Sequence, residues 1–266
     1  MTSSKPAARR AVLFLVDGMR PDGLQAAETP FLDRLIERGA CTYRARTVMP
    51  STTLTCHTSL FFSIPPETHG ILDNVWKPFA GDNHGLFQLF REAGLAAATF
   101  FNWEPLRDLW PAGSSLASLF LKDAPGDGGR TDRELSSLAL AWLSSHDWAF
   151  GFVYLHNTDK AGHASGWMSP AYLEAIANAD QCIESICSTL PEDVLVIVAA
   201  DHGGHDHTHH TDLEEDMTVP LILAGPGIPK NLAIPGKVSI MDIAPTLARF
   251  LGLARPEAWQ GKAIDF

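Results

Sequence analysis

The chain has 266 residues, of which 45% are hydrophobic and 19% are charged, a composition typical of a globular protein. This length suits one large α/β domain better than two small domains. The formal net charge of −11 favours solubility and argues against a nucleic-acid-binding surface, so an anionic substrate would need positive charge supplied locally.

The N-terminal stretch MTSSKPAARR is basic and is followed by an apolar run, residues 11–16, that ends at Asp17. This run is too short for a membrane-spanning helix and does not resemble a signal peptide. We therefore expect residues 1–10 to form a flexible tail and the protein to have no membrane partner. Four scattered cysteines are too few for a disulfide framework, so we predict a reducing, cytoplasmic location.

Short apolar runs and stretches of helical periodicity follow along the chain. Four runs rich in Val, Ile, Leu or Phe predict buried strands, and AAATFF is a weaker fifth. A capping-box pattern from Thr131 to Glu134 marks the start of one predicted helix. In chain order the predicted elements are strand 11–16, helix 29–39, strand 96–101, helix 131–145, strand 150–155, helix 169–190, strand 194–200, strand 219–224 and helix 241–252.

This order of elements predicts the fold class. Strands alternating with helices indicate a mostly parallel sheet with helices on both faces, a three-layer α/β/α sandwich. We expect residues 1–266 to form a single catalytic domain. Residues 76–130 are the one region that could form a small cap or shape the substrate pocket.

Acidic and histidine side chains follow three of the predicted strands. Asp17 follows the first strand, Asp159 and His163 follow strand 150–155 with i, i+4 spacing, and Asp201-His202 follows strand 194–200. Each pattern alone is typical of a turn or a solvated helical pair. Ligands in open α/β sheets bind beyond the carboxyl ends of the strands. Because these acidic and histidine residues all follow strands at the same edge of the sheet, together they favour a binding site there.

The segment from His202 to His210 contains five histidines in nine residues, which is rare outside metal sites and tags. Its interior position excludes a tag. Nitrogen and carboxylate ligands without cysteine suit Zn²⁺ foremost, with Mn²⁺ or Fe as alternatives. There are too many ligands for one ion, so we predict two divalent ions, as in many phosphoryl-transfer sites.

With these motifs in view, the sequence resembles the alkaline phosphatase superfamily, and within it the nucleotide pyrophosphatase/phosphodiesterase branch. The ordered series of motifs covers most of the chain. The motifs are DGMRPDGL, TPFLDRLIERG, PSTTLTCH, PPETHGILDN, NTDKAGH, ADHGGH, EDMTVPLILAGPGI and DIAPTLARFLG.

The resemblance implies two sets of metal ligands. For one ion they are Asp17, Asp201 and His202, and for the other Asp159, His163 and His209. His210, which stands where relatives usually have glycine, is the adjacent alternative to His209.

The resemblance also implies a nucleophile in PSTTLTCHTSL, where Thr53 matches the reactive threonine or serine and would itself bind one metal. Asn74 matches the residue that donates a hydrogen bond to a nonbridging phosphate oxygen, and an uncharged donor suits a diester. Alternatively, Ser51, Thr52 and Thr53 could simply cap the following helix, and Asp73-Asn74 could simply form a turn. Spacing favours Thr53 over Thr52.

We therefore expect a two-metal phosphodiesterase or nucleotide pyrophosphatase that acts on a small-molecule phosphate ester through a covalent Thr53-phosphate intermediate. A phosphomonoesterase or phosphonate hydrolase on the same framework is the alternative. A metal- or phosphate-binding module without turnover is a more remote one. The sequence leaves the natural substrate and the oligomeric state open.

Overall fold

The computed structural model describes residues 9–78, 84–124 and 126–266, so residues 1–8 of the predicted tail lie outside it. Eight strands form one sheet. They are β1 (Arg10–Val16), β2 (Ala40–Arg46), β3 (Ala97–Phe101), β4 (Ala117–Phe120), β5 (Phe150–Leu155), β6 (Val194–Ala199), β7 (Thr218–Ala224) and β8 (Leu232–Ala233). Their order across the sheet is β4-β3-β5-β1-β6-β7-β2-β8.

The centre of the sheet consists of the three parallel strands β5, β1 and β6. All residues of β5 and β6 are buried, which agrees with their continuous apolar sequences. Leu15 lies opposite Tyr154 on one side and Ala199 on the other, so the three strands end at the same edge. The predicted mostly parallel sheet is confirmed, and its central strands deliver their following residues to one place.

The outer strands include three that the sequence did not reveal: β2, β4 and β8. Strand β2 runs antiparallel to β7, which is itself antiparallel to β6, so this half of the sheet is mixed. Strands β3 and β4 come from residues 76–130 and continue the parallel half beside β5. That region therefore contributes to the main sheet.

Ten helices lie among the described residues. They are α1 (Pro21–Ala26), α2 (Pro30–Arg38), α3 (Thr53–Phe62), α4 (Pro66–His69), α5 (Leu86–Glu92), α6 (Arg130–Ser145), α7 (Asn157–Ser165), α8 (Pro170–Cys187), α9 (Glu214–Met217) and α10 (Ile243–Phe250). Two short 3₁₀ turns, Glu104–Asp108 and Ile240–Asp242, complete the regular structure. No helix in the described ranges is long and apolar enough to cross a membrane.

The helices form two groups on opposite faces of the sheet. Helices α1, α2, α6 and α7 contact α8, whereas α4, α5 and α10 contact α3. Strand β5 shows which face each group covers, because successive side chains of a strand point in opposite directions. Phe152 packs against Phe61 of α3, with ring centroids 5.0 Å apart, whereas Gly151 faces Leu143 of α6. This arrangement confirms the predicted three-layer architecture.

The predicted capping box at the start of α6 is wrong. The helix begins at Arg130, its N-cap is Gly129 with φ +77°, and it has no side-chain cap hydrogen bond. The Thr131 hydroxyl donates to Asp127 Oδ2 instead, and the Thr131 backbone N–H donates to the same oxygen at 3.1 Å. Asp127 therefore replaces the predicted Thr131–Glu134 pair in this turn.

Candidate metal centre and nucleophile

The first part of the site is built where β1 and β6 end. Asp17 follows β1 directly, and its backbone N–H donates to Leu155 O at 3.0 Å, which extends the pairing with β5. Asp201 lies two residues beyond β6, and its Oδ1 accepts from Gly18 N at 3.2 Å. Both carboxylates are fully buried.

Asp17, Asp201 and His202 form the first cluster, with one potential ligand atom from each within 4.8 Å of the others. His202 Nε2 lies 3.2 Å from Asp17 Oδ1 and 3.6 Å from Asp201 Oδ2. His202 Nδ1 donates to Gly203 O at 2.8 Å, so its other nitrogen is the one that faces the carboxylates. Backbone bonding of this kind fixes the orientation of metal-binding histidines.

Asp159, His163 and His209 form the second cluster under the same distance limit. Nε2 of His163 and of His209 lies 3.4 Å and 3.7 Å, respectively, from Asp159 Oδ1. The Nδ1 atoms of the two histidines bond to His207 O at 2.8 Å and Ser51 O at 2.7 Å. Helix α7 therefore supplies two of the ligand candidates, and an irregular loop supplies the third.

His209 and His210 differ sharply in environment. His209 is buried, and burial together with the neighbouring charge of His202 lowers its pKa to about 2, so its imidazole is neutral as a metal ligand requires. His210 is exposed, has φ +93° and, among the described residues, belongs to no group of three potential ligands. The structure thus brings His209 into the cluster and leaves its neighbour outside.

His156 is a member of the site that sequence reasoning missed. Its Nε2 lies 3.7 Å from Asp159 Oδ2 and 4.0 Å from Asp17 Oδ2, and the three residues form a further group of potential ligands. Its Nδ1 bonds to Asp123 Oδ2 at 2.7 Å. The signal was present, because His156 directly follows β5 and therefore obeys the same strand-end rule as Asp17.

Both clusters contain buried carboxylate oxygens that have no hydrogen-bond donor among the described residues. Asp17 Oδ1, Asp159 Oδ1 and Asp201 Oδ2 are buried and receive no hydrogen bond from any described residue. A buried anionic oxygen without a donor is costly unless a cation compensates it. The oxygen and imidazole donor sets therefore fit two divalent cations such as Zn²⁺ or Mn²⁺.

The pKa values of the site show the same deficit of positive charge. Burial, and then the negative charge of Asp17, raise the pKa of Asp159 to about 6. The same two causes raise the pKa of Asp201 well above its usual range. Burial opposes the charged form of His202, but Asp201 and Asp17 outweigh it and raise its pKa to about 10. Three ionised carboxylates require more positive charge here than the histidine supplies.

Thr53 is the first residue of α3, and its Oγ1 lies 3.3 Å from His202 Nε2. The predicted alternative, in which hydroxyls cap this helix, is not what the structure contains, because Thr52 is the N-cap and makes no side-chain cap hydrogen bond. Thr52 Oγ1 instead bonds to Thr55 Oγ1 at 2.6 Å, and Ser51 Oγ donates to Thr211 O at 3.2 Å. Of the four hydroxyls, only that of Thr53 contacts a ligand candidate of either cluster in the described structure.

Asn74 joins the same helix terminus from a different loop. Its Oδ1 accepts from Leu54 N at 3.0 Å, in the first turn of α3. This bond assigns the amide oxygen to the helix and leaves the Nδ2 donor for another partner. Asn74 is itself exposed.

Two protein-family models match different parts of the chain. The model of type I phosphodiesterase / nucleotide pyrophosphatase matches residues 11–93, and the model of the metalloenzyme superfamily matches residues 129–255. The chain belongs to the alkaline phosphatase superfamily. The first of these matches lies in its phosphodiesterase/nucleotide pyrophosphatase branch and contains Asp17, Thr53 and Asn74, whereas the second contains the remaining ligand candidates.

Individual members of the superfamily are similar along most of this chain. The human GPI ethanolamine phosphate transferase 3, catalytic subunit, is 26% identical over 93% of the chain and 25% of its own length. Ectonucleotide pyrophosphatase/phosphodiesterase family member 3 of Mus musculus is 26% identical over 72% of the chain and 24% of its length. The chain thus spans about a quarter of the length of these curated relatives.

A solved structure shows the same fold. Murine ectonucleotide pyrophosphatase / phosphodiesterase 5 superposes with a TM-score of 0.76 at 16% identity, and the match covers 97% of this chain and 98% of that one. At this identity the likeness establishes the superfamily fold only.

Proposed function

We propose that this protein is a two-metal phosphodiesterase in which Thr53 is the nucleophile. The observation that carries the proposal is the position of the Thr53 hydroxyl, 3.3 Å from His202 Nε2 and at the N-terminus of a buried helix. Thr53 lies beside the carboxylate clusters and the residue as a whole is 4% exposed, so a substrate must enter the strand-end edge to reach its hydroxyl.

The metals would be held by Asp17, Asp201 and His202 on one side and by Asp159, His163 and His209 on the other. Bound divalent cations would supply Lewis-acid stabilisation of negative charge on the attacking and leaving oxygens. Zn²⁺ suits these donors best, and Mn²⁺ or Fe also suits them.

In the proposed reaction Thr53 Oγ1 forms a bond to phosphorus while the ester bond to one alcohol breaks. The threonine proton passes to solvent, and the departing alkoxide takes up a proton. Water then attacks the same phosphorus, the Oγ1–P bond breaks and Thr53 regains its hydroxyl. The N-terminus of α3 stabilises the phosphoryl charge in both steps, because helix N-termini favour anions.

Asn74 supports diester over monoester chemistry. With its Oδ1 engaged by Leu54 N, its Nδ2 can donate to a nonbridging oxygen of the phosphate. A neutral donor matches the single negative charge of a diester better than the double charge of a monoester. The mouse relative named above is a nucleotide pyrophosphatase/phosphodiesterase by name, which agrees with this choice.

The acceptor in the second step decides between hydrolysis and transfer. The human relative is called a transferase, and transfer would begin with the same attack by Thr53. We propose water as acceptor and a small-molecule phosphate ester as substrate. The cytoplasmic location stays a prediction from the cysteine content, and the four cysteines are free thiols in the structure.

Replacement of Thr53 tests the mechanism. We expect Thr53→Ala to retain both metals by elemental analysis and to lose at least about 10³-fold in turnover of a bis-aryl phosphate diester. Thr53→Ser should retain measurable turnover, because it keeps the hydroxyl at the same position. Near-wild-type turnover of Thr53→Ala would remove Thr53 from the nucleophilic role.

Relative rates on three substrates test the substrate class. The wild-type protein should cleave the bis-aryl diester faster than an aryl phosphate monoester or an aryl phosphonate monoester. A preference for the monoester would instead identify a phosphomonoesterase, and a preference for the phosphonate a phosphonate hydrolase.

A further inference from the structure

Asp216 is a fully buried carboxylate that belongs to neither metal cluster. It lies on the short helix α9, just beyond the histidine-rich segment. Each of its side-chain oxygens is hydrogen-bonded. Oδ1 accepts from His205 Nδ1 at 2.7 Å, and Oδ2 accepts from Thr211 N at 2.9 Å and from Thr211 Oγ1 at 2.8 Å.

These bonds tie together the two ends of loop 205–211. Inside the loop, His205 and Thr208 exchange backbone hydrogen bonds of 2.8 and 2.9 Å, but the remainder has no regular structure. Asp206 and His210 both have positive φ, +46° and +93°, which few non-glycine residues adopt. A loop with this backbone depends on its anchors, because local preferences do not favour its conformation.

The loop orients two ligand candidates of the second cluster. It carries His209, whose Nε2 faces Asp159. It also supplies the carbonyl of His207, to which His163 Nδ1 bonds at 2.8 Å, while His207 Nδ1 bonds back to His163 O at 3.1 Å. A displacement of the loop would therefore move one imidazole of the cluster and release the other.

The first cluster is less dependent on the Asp216 side chain. Its link to this residue is a backbone one, in which Gly203 N donates to Asp216 O at 2.8 Å next to His202. Substitution of the side chain leaves that carbonyl in place. The carboxylate of Asp216 thus supports the loop of the second cluster, whereas its backbone carbonyl supports the first cluster.

We propose that Asp216 is a positioning residue for the second metal site: its carboxylate closes loop 205–211 and so fixes the imidazoles of His163 and His209. This inference rests on the metal-binding part of the proposed function and is independent of the role of Thr53. In metalloproteins, groups that orient ligands without touching the metal typically change metal affinity about 10–100-fold when mutated.

Asp216→Asn tests the proposal, with Asp212→Asn as the matched control. Asparagine has a single acceptor oxygen and its NH2 group only donates, so it cannot accept from His205 and from Thr211 at the same time, and one end of the loop loses its acceptor. Asp212 lies in the same region, is exposed, and has no side-chain hydrogen bond among the described residues. The control therefore makes the same charge change without breaking the closure.

Equilibrium binding of Zn²⁺ alone, measured by competition with a chelating indicator, is the readout. We expect the Kd of one site to rise about 10-fold or more in Asp216→Asn, with the other site within about threefold of wild type. Asp212→Asn should match wild type at both sites. His163→Ala leaves only the first cluster complete, so its remaining Zn²⁺ affinity is that of the first site. This is the affinity that should stay unchanged in Asp216→Asn.

A milder variant guards against loss of folding. Thr211→Val removes the hydroxyl bond to Asp216 Oδ2, together with the longer bond of 3.3 Å that this hydroxyl accepts from Leu213 N, but keeps the backbone bond of Thr211 N to Asp216, so it should weaken the same site by a smaller factor. Equal binding by Asp216→Asn and wild type would overturn the proposal. Equal weakening of both sites, with a lower melting temperature of the metal-free protein, would overturn it as well and make Asp216 a general stabilising residue. A wild-type protein that binds no Zn²⁺ would overturn the metal assignment itself, whereas loss of the Thr53 role alone would leave the expected affinities unchanged.

Discussion

His69 illustrates how two hydrogen bonds fix the protonation state of a buried side chain. Its Nδ1 accepts from Ile71 N at 3.0 Å, and its Nε2 bonds to Ser59 Oγ at 2.9 Å. A second proton on the ring would have to sit on Nδ1, against the Ile71 N–H donor. Burial lowers the pKa of His69 to about 4, in agreement with that geometry. The residue stabilises its turn in the neutral form.

We predict that His69 makes stability depend on pH between about 6.5 and 4. In that range the unfolded chain binds a proton that the folded His69 refuses, so stability falls as the pH falls. His69→Asn keeps an acceptor for Ile71 N but does not titrate. The free energy of unfolding should therefore drop less between pH 7 and pH 5 in this variant, by on the order of 1 kcal/mol. Chemical denaturation at the two pH values measures this, and identical slopes in both proteins would contradict it.

At the scale of elements, α8 connects the helical layer to the site. Its first turn contains Tyr172, whose hydroxyl donates to Gly18 O at 2.9 Å and accepts from Arg20 N at 2.8 Å. The turn that follows Asp17 is therefore held by a helix more than 150 residues away in sequence. Ser169 begins this helix as its N-cap and accepts from Tyr172 N at 3.3 Å.

Loss of that cap should destabilise the protein. We expect Ser169→Ala to lower the free energy of unfolding by about 1 kcal/mol, since it removes an acceptor for a free N–H at the helix start. Ser188→Ala, at the exposed C-cap of the same helix, should change it by less than about 0.5 kcal/mol. Urea denaturation distinguishes the two, and equal effects at both ends would show that the cap contributes nothing specific.

The elements found from sequence are those whose own residues determine them. Strands β1, β5, β6 and β7 are continuous apolar runs, and α2 has its proline and glycine signals. Strand β2 was missed because its sequence, ACTYRAR, alternates exposure only in part and gains strand structure by pairing with β7 and β8. The predicted cap of α6 was wrong for a related reason. Asp127, which lies outside the local sequence pattern, accepts the hydrogen bonds of Thr131.

At the scale of the whole molecule, the site is assembled from segments that span residues 17 to 209. Strand-end reasoning and the family resemblance together gave the predicted residues of both clusters, and the structure places them within ligand distance of one another. They did not give His156, which was overlooked, or Asp216, whose role depends on the folded path of a loop. Contacts made only by the folded chain leave no periodic signal in sequence.

The same assembly predicts that metals stabilise the fold. The buried carboxylates repel one another, so cations that bind the folded state should raise its stability by about 2.7 kcal/mol for each independent ion at a free concentration 100 times its Kd. Thermal unfolding of the metal-free and Zn²⁺-loaded protein should show a clear rise in melting temperature with metal. An unchanged melting temperature, with removal and reloading verified by elemental analysis, would contradict this expectation.

The central position of β1 also has a consequence for biosynthesis. Both neighbours of this strand, β5 and β6, are encoded more than 130 residues after it. At about 5–20 residues per second, a ribosome delivers the first of them on the order of ten seconds after β1 has emerged. During that interval a strand whose residues 11–16 are all apolar has neither of its edges paired, and a nascent chain of this kind is a natural client for chaperones that bind hydrophobic segments.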